Sequence, residues 1–194
     1  MTTSAVVRLI AWAWLFAAIG ASHFGFLERL PALGLPVLAA ALVVALVIVQ
    51  RRSSALRRWL DALSLRTLVL LHLVRVVSYG FLYFANRGEL PRSFAVQVAG
   101  GEIIVALFAL PIALWVTTQP QRLRFVYIWN VVGLLNVLLL TVSASRLALA
   151  DTGAVQLFTR VPLSLLPTFL GPLIVASHLL ISQRLTAAER ARAN

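Results

Sequence analysis

The sequence predicts an all-α fold: a polytopic membrane helical bundle of six transmembrane helices with both termini cytoplasmic. Three observations carry that expectation. Of the 194 residues, 61% are apolar, against roughly 45–50% in soluble domains. The apolar residues gather into six blocks, near 5–22, 33–50, 65–85, 98–118, 125–145 and 162–182, each close to the ~20 residues a helix needs to cross a bilayer. The arginines collect at one set of block ends. Too little loop is left for a soluble domain, so 1–194 reads as a single integral membrane domain.

The first block, 5–22, carries Arg8 and ends in Gly20-Ala21-Ser22. A cleaved signal peptide has that outline, but Trp12 and Trp14 are unusual in one, and its removal leaves five helices. The second block, 33–50, is entered past Pro31 and Pro36 and ends in Gln50-Arg51. The third, 65–85, holds His72 and Arg75 in otherwise apolar sequence. The fourth, 98–118, follows the amphipathic stretch 91–99 and opens on Gly100-Gly101-Glu102. Paired glycines let another backbone or a ligand come close, or mark a broken helix start lining a cavity; plain helix packing is the simpler account. The fifth block, 125–145, contains Asn130 and Asn136. The sixth, 162–182, contains Pro162, Pro167, Gly171 and Pro172 and predicts a kinked helix. Pro167 and Pro172 free the carbonyls of Leu163 and Thr168. Blocks two, four and six share a proline entry and a Gln-Arg exit, as a triplicated hairpin would. Proline at a first turn and arginine at an inner helix end explain the same pattern without a repeat.

Charge sets the expected orientation. With the N-terminus inside, cytoplasmic segments hold Arg8, Arg51, Arg52, Arg57, Arg58, Arg66, Arg122, Arg124, Arg184, Arg190 and Arg192. Outer segments hold only Arg29, Arg87, Arg92, Arg146 and Arg160. This is a positive-inside bias and predicts a multi-pass protein of the cell inner membrane. Trp59, Trp115 and Trp129 are expected near the inner interface and Tyr83 near the outer one. The net charge is +11, all basic residues being arginine. Their dispersal at helix ends marks topology rather than a phosphate-tracking stripe, so no nucleic acid is expected as partner. The chain has no cysteine, which excludes disulfides, thiolate chemistry and cysteine-ligated metals. No P-loop, dinucleotide fingerprint, HExxH or GxSxG occurs.

Polar residues inside the blocks are the candidate site. A cation near mid-bilayer costs at least ~2.5 kcal/mol, so such groups face partners or cavities. At ~1.5 Å rise per residue, Arg75 lies roughly 15 Å from the inner end of its span, Asn136 roughly 16 Å and Glu102 roughly 24 Å. His72 lies roughly 10 Å in, Asn130 roughly 8 Å and His178 roughly 6 Å. Two layers are therefore expected. The deeper holds Arg75, Glu102 and Asn136, with Ser78, Tyr79 and Thr168 nearby, and an Arg75–Glu102 pair would tie it together. The inner holds His72, His178 and Asn130. His23, Glu28 and Glu89 read as solvated outer surface. No metal site is expected.

Four function classes remain open. The leading one is binding or passage of a small polar solute, ion or proton (transport), through Arg75, Glu102, Asn136, Thr168, Asn130 and Tyr79, with His72 and His178 as proton-responsive groups. The same histidines on two helices are the minimum for haem b ligation, which would make a membrane redox protein. Glu102 as acid or base would make a membrane enzyme acting on a lipid or isoprenoid; the balance leans away from an enzyme. Small-residue faces such as Ala41 and Ala45 would serve a partner subunit or homo-oligomer equally well. The lipid bilayer is the expected partner in every case.

Residues 89–95 (Glu-Leu-Pro-Arg-Ser-Phe-Ala), Gly100-Gly101-Glu102, residues 128–136 (Ile-Trp-Asn-Val-Val-Gly-Leu-Leu-Asn) and residues 162–169 (Pro-Leu-Ser-Leu-Leu-Pro-Thr-Phe) together resemble an uncharacterised family of small bacterial polytopic membrane proteins. The resemblance covers roughly residues 65–194. It implies an acidic residue after the glycine pair and a histidine near the end of the last span; Glu102 and His178 stand there. It also implies an acid in the region of Asn136, where this chain has the uncharged amide. No activity comes with it.

Overall fold

The structure is a computed structural model and describes residues 2–115, 120–150, 153 and 156–193. Those residues are helical or in turns; no strand occurs among them. The α-helices are α1 (Thr3–His23), α2 (Gly34–Arg52), α3 (Ser54–Ala62), α4 (Leu65–Leu70), α5 (Gly80–Asn86), α6 (Arg92–Trp115), α7 (Pro120–Ala150) and α8 (Gly171–Ala193). Short 3₁₀ turns stand at Leu27–Arg29 and Leu157–Thr159. A longer 3₁₀ segment, Leu71–Tyr79, joins α4 to α5, and a π-turn, Leu166–Leu170, leads into α8.

Six helical stretches are long and apolar enough to cross a membrane: Thr3–His23, Gly34–Arg52, Leu65–Asn86, Arg92–Trp115, Arg122–Ala150 and Leu166–Ala191. They fall on the six sequence blocks, with shifted ends. The fourth begins at Arg92 rather than 98, because Pro91 starts the helix and Ala95 N–H already bonds the Pro91 carbonyl. Its expected end at 116–118 lies outside the described residues. The fifth runs on to Ala150. Helix α3 was not expected. Leu56, Trp59 and Leu60 lie half-buried on one face, while Arg57, Arg58 and Asp61 are exposed; the Ser53 hydroxyl caps it by accepting from Leu56 N–H.

The chain forms two compact units, Met1–Leu63 with Thr141–Ala176 and Ser64–Leu140 with Ser177–Asn194. In the first, α1 packs on α3 and on the π-turn, and α2 packs on the same two elements. Pro172 has no N–H for the Thr168 carbonyl, and the Trp14 indole N–H donates to that carbonyl at 2.9 Å. The Leu163 carbonyl, freed by Pro167, accepts from Leu166 N–H at 3.1 Å. Gly171 N–H reaches the Leu166 carbonyl to close the π-turn. A side chain at Gly171 would meet that carbonyl at 2.6 Å. The Ser22 hydroxyl donates to the Thr159 carbonyl at 2.7 Å. Glu28 and Arg160 form an exposed ion pair at 3.3 Å.

In the second unit the span Leu65–Asn86 lies along α6. Ser64 caps its start, accepting from Thr67 N–H at 3.0 Å. Helix α6 presents a seam of small residues, Ala95, Ala99, Ala106, Ala109 and Ala113, all essentially inaccessible; small side chains let helix backbones approach closely. Against it the Leu65–Asn86 span buries Val69, His72, Arg75, Ser78 and Phe81, each at most 4% exposed. That spacing is three throughout. A 3₁₀ helix has three residues per turn, so the winding of Leu71–Tyr79 keeps the polar members of this row on one straight line.

Candidate functional site

The second unit gathers buried polar groups into a network centred on Arg75. The guanidinium grips Glu102 side-on: Nε donates to Oε2 at 2.9 Å and Nη2 donates to Oε1 at 2.6 Å. Both Nη atoms also approach the Gly133 carbonyl at 3.4 Å, and Nη1 stands 3.0 Å from His178 Nε2. Arginine has five N–H donors and no acceptor. All five of Arg75's thus meet oxygen or nitrogen, although the side chain is entirely buried.

Because Nη1 can only donate, His178 Nε2 is the acceptor, and the imidazole proton sits on Nδ1. There it donates to Asn130 Oδ1 at 2.8 Å. Asn130 Nδ2 donates in turn to Ser182 Oγ at 2.8 Å and to the His178 carbonyl at 3.2 Å. At the other end, Asn136 Nδ2 donates to Glu102 Oε1 at 2.6 Å. Two glycines make room for this. A Cβ at Gly133 would lie 2.5 Å from His178 Cε1, and one at Gly101 would overlap the Asn136 amide.

The His72 ring lies against that of His178, tilted by 44° with centroids 4.1 Å apart, and meets the Trp129 indole edge-on at 5.0 Å. Its Nε2 faces Ser177 Oγ at 3.0 Å, while its buried Nδ1 has no hydrogen-bond partner among the described residues. The Ser78 hydroxyl donates to the Arg75 carbonyl at 2.6 Å.

The two expected layers are therefore one. Arg75 joins them, since its side chain reaches Glu102 with one edge and His178 with the other. Arg75, Glu102, Asn136, Asn130, His178 and His72 come together. Tyr79 does not: it is 64% exposed, because 3₁₀ winding turns a residue four positions on by about 120° from the Arg75 line. Thr168 belongs to the first unit, where its hydroxyl donates to the Ser164 carbonyl at 2.6 Å. Trp129, placed by sequence near an interface, is buried, and its indole N–H donates to the Val105 carbonyl at 3.0 Å. Gly133, Ser177 and Ser182 were not singled out. The spacing of Val126, Trp129, Asn130 and Gly133 on one face of α7 contained the signal for Trp129 and Gly133.

The two imidazole rings touch, and both nitrogens of His178 are hydrogen-bonded. Among the described residues no group of three or more His, Cys, Asp or Glu is placed to hold a metal ion.

Fold and site thus define a class: an all-helical chain with six helices long and apolar enough to cross a membrane and a buried Arg–Glu–His network. The family described as Domain of unknown function (DUF8737) matches residues 32–186, and the chain belongs to it. The match begins earlier than the resemblance read from the sequence, taking in α2 and α3. Nothing among curated proteins and nothing among solved structures matches the chain.

Proposed function

We propose that this is a multi-pass protein of the bacterial inner membrane, with both ends cytoplasmic, whose Arg75-centred network binds and passes a small polar solute, ion or proton. Large apolar side chains such as Leu9, Ile10, Trp12, Phe16, Val37, Val44, Leu107 and Phe108 stand exposed. Exposed apolar surface on this scale marks contact with another apolar phase, and lipid is the phase the six helices suit. The excess of arginine at one set of helix ends supports the orientation.

The observation that carries the site reading is the convergence of Arg75, Glu102 and His178 inside apolar sequence. Ionisable groups in such segments usually serve ion or proton pathways, face the bundle interior and pair with one another. The permanently charged Arg75 touches both the Glu102 carboxyl group and the His178 imidazole.

The test is proton movement in proteoliposomes carrying an internal pH dye, with wild type and Arg75→Gln compared at equal insertion and monodispersity. The expected result is flux in wild type and none in the variant. A wild type without flux, together with a variant that no longer inserts, makes the network a static tie between helices and overturns the reading.

A further inference from the structure

We infer, resting on the function proposed above, that the ligand of this site is a monovalent carboxylate, taken together with one proton held on Glu102. The receptor for a carboxylate is already assembled. Three donors converge on one carboxyl group: Arg75 Nε and Nη2 and Asn136 Nδ2, at 2.9, 2.6 and 2.6 Å. A planar guanidinium fork flanked by a neutral amide is the donor set that recognises carboxylates. Here its occupant is the protein's own Glu102.

Charge balance ties exchange of that occupant to a proton. Arg75 is wholly buried and always charged. A buried charge left without a counter-charge is strongly disfavoured, so an anion must face Arg75 at every stage. That anion is either ionised Glu102 or a ligand. When a carboxylate ligand enters the fork, Glu102 takes one proton from water and becomes neutral; when the ligand leaves, Glu102 releases that proton. The cluster keeps zero net charge in both states, and one proton travels with each monoanion.

Among the described residues, the surroundings supply no substitute counter-charge. Around Glu102 the 3₁₀ segment presents Arg75 and, behind it, His72; α8 presents His178; and α7 presents the neutral Asn136. Helices α4 and α5 turn their ionisable side chains, Arg66 and Tyr83, to the exposed side. Burial also gives the network a direction. Asn130, His178 and Arg75 are sealed at 0–1% exposure, whereas Glu102 keeps slight exposure and Asn136 is half-buried. Glu102 and Asn136 are thus less deeply buried than Arg75, His178 and Asn130.

The test counts protons. Detergent-purified wild-type protein in weakly buffered solution with a pH indicator receives pyruvate, a water-borne carboxylate, or laurate, a membrane-borne one. Binding is followed by the fluorescence of Trp129, read as the difference from Trp129→Phe. The expected result is uptake of one proton per carboxylate bound, with affinity weakening about tenfold per pH unit as one linked proton requires. Which probe binds tells the aqueous source from the lipid one. Glu102→Gln, if monodisperse, should bind the same probe without proton uptake and without pH dependence; the wild-type proton count decides the matter if it is not. Binding without proton uptake, or binding of neither probe, overturns the inference. Arg75-dependent proton movement in vesicles that ignores both carboxylates would remove this inference and leave the proposed function standing. Loss of that movement as well would remove both.

Discussion

The His178 ring occupies the space that a side chain on Gly133 would need: an ideal Cβ there lies 2.5 Å from Cε1 and 2.9 Å from Nε2 of the imidazole. Gly133→Ala should therefore push His178 off Arg75. Overpacking of this kind costs about 1–3 kcal/mol. Thermal unfolding in detergent should show the loss, and Gly100→Ala, where a Cβ meets nothing within 4 Å, should not share it.

Removing one charge of the central pair should hurt more than removing both. Arg75→Gln leaves Glu102 buried without its cation, at a cost of about 3–5 kcal/mol. The double variant Arg75→Gln with Glu102→Gln should recover much of that stability, because two amides can bond each other where the ions did. Arg75→Lys should not substitute, since an ammonium cannot serve both carboxylate oxygens as a fork. Comparing the four proteins by unfolding midpoint checks the order; a double variant no more stable than Arg75→Gln alone would count against the pairing.

The hydrogen bonds specify a tautomer. Nitrogen-15 spectra of His178 at neutral pH should show a protonated Nδ1 and a bare Nε2. Asn130→Leu removes the acceptor for Nδ1–H and should leave a mixture of tautomers. A protonated Nε2 in wild type would mean that Arg75 does not donate to it.

In the first unit, Trp14→Phe strips the Thr168 carbonyl of its donor. An unsatisfied carbonyl costs about 1–3 kcal/mol, and unfolding should register it. Trp12, 58% exposed, is the control, and Trp12→Phe should change stability by less than about 0.5 kcal/mol.

Gly171→Ala should disturb the π-turn, because the added methyl meets the Leu166 carbonyl at 2.6 Å. Loss of helical signal around 166–171 in hydrogen exchange, ahead of global unfolding, is the expected readout.

The six long helices were legible because apolar runs of bilayer length, bounded by proline and arginine, admit few other readings. Their ends were less so. Helix α6 starts at Arg92, straight after Pro91, whose carbonyl accepts the first helical hydrogen bond, whereas the apolar run alone suggested 98. Helix α3 was hidden, since nine residues alternating Leu and Trp with Arg and Asp do not register as an apolar block. The contact between Arg75 and Glu102 followed from the need of a buried cation for a partner. Two features escaped depth counting along ideal helices. One is the union of the layers, which depends on the reach of a single arginine. The other is the fate of Tyr79, which depends on local winding. The sequence did contain a hint: His72, Arg75 and Ser78 repeat every three residues, which suits 3₁₀ geometry rather than α.

That winding has a mechanical side. Each residue of a 3₁₀ helix advances ~2.0 Å and turns ~120°, against ~1.5 Å and ~100° in an α-helix. Over the nine residues Leu71–Tyr79 the differences add up to roughly 4.5 Å of length and about half a revolution. Rewinding this stretch as α would draw α5 toward α4 and rotate it to the opposite bearing, carrying Ser78 and Phe81 away from the line of Val69. The segment is a screw with its thread cut to one pitch, and Glu102 and His178 grip it at Arg75, near its middle.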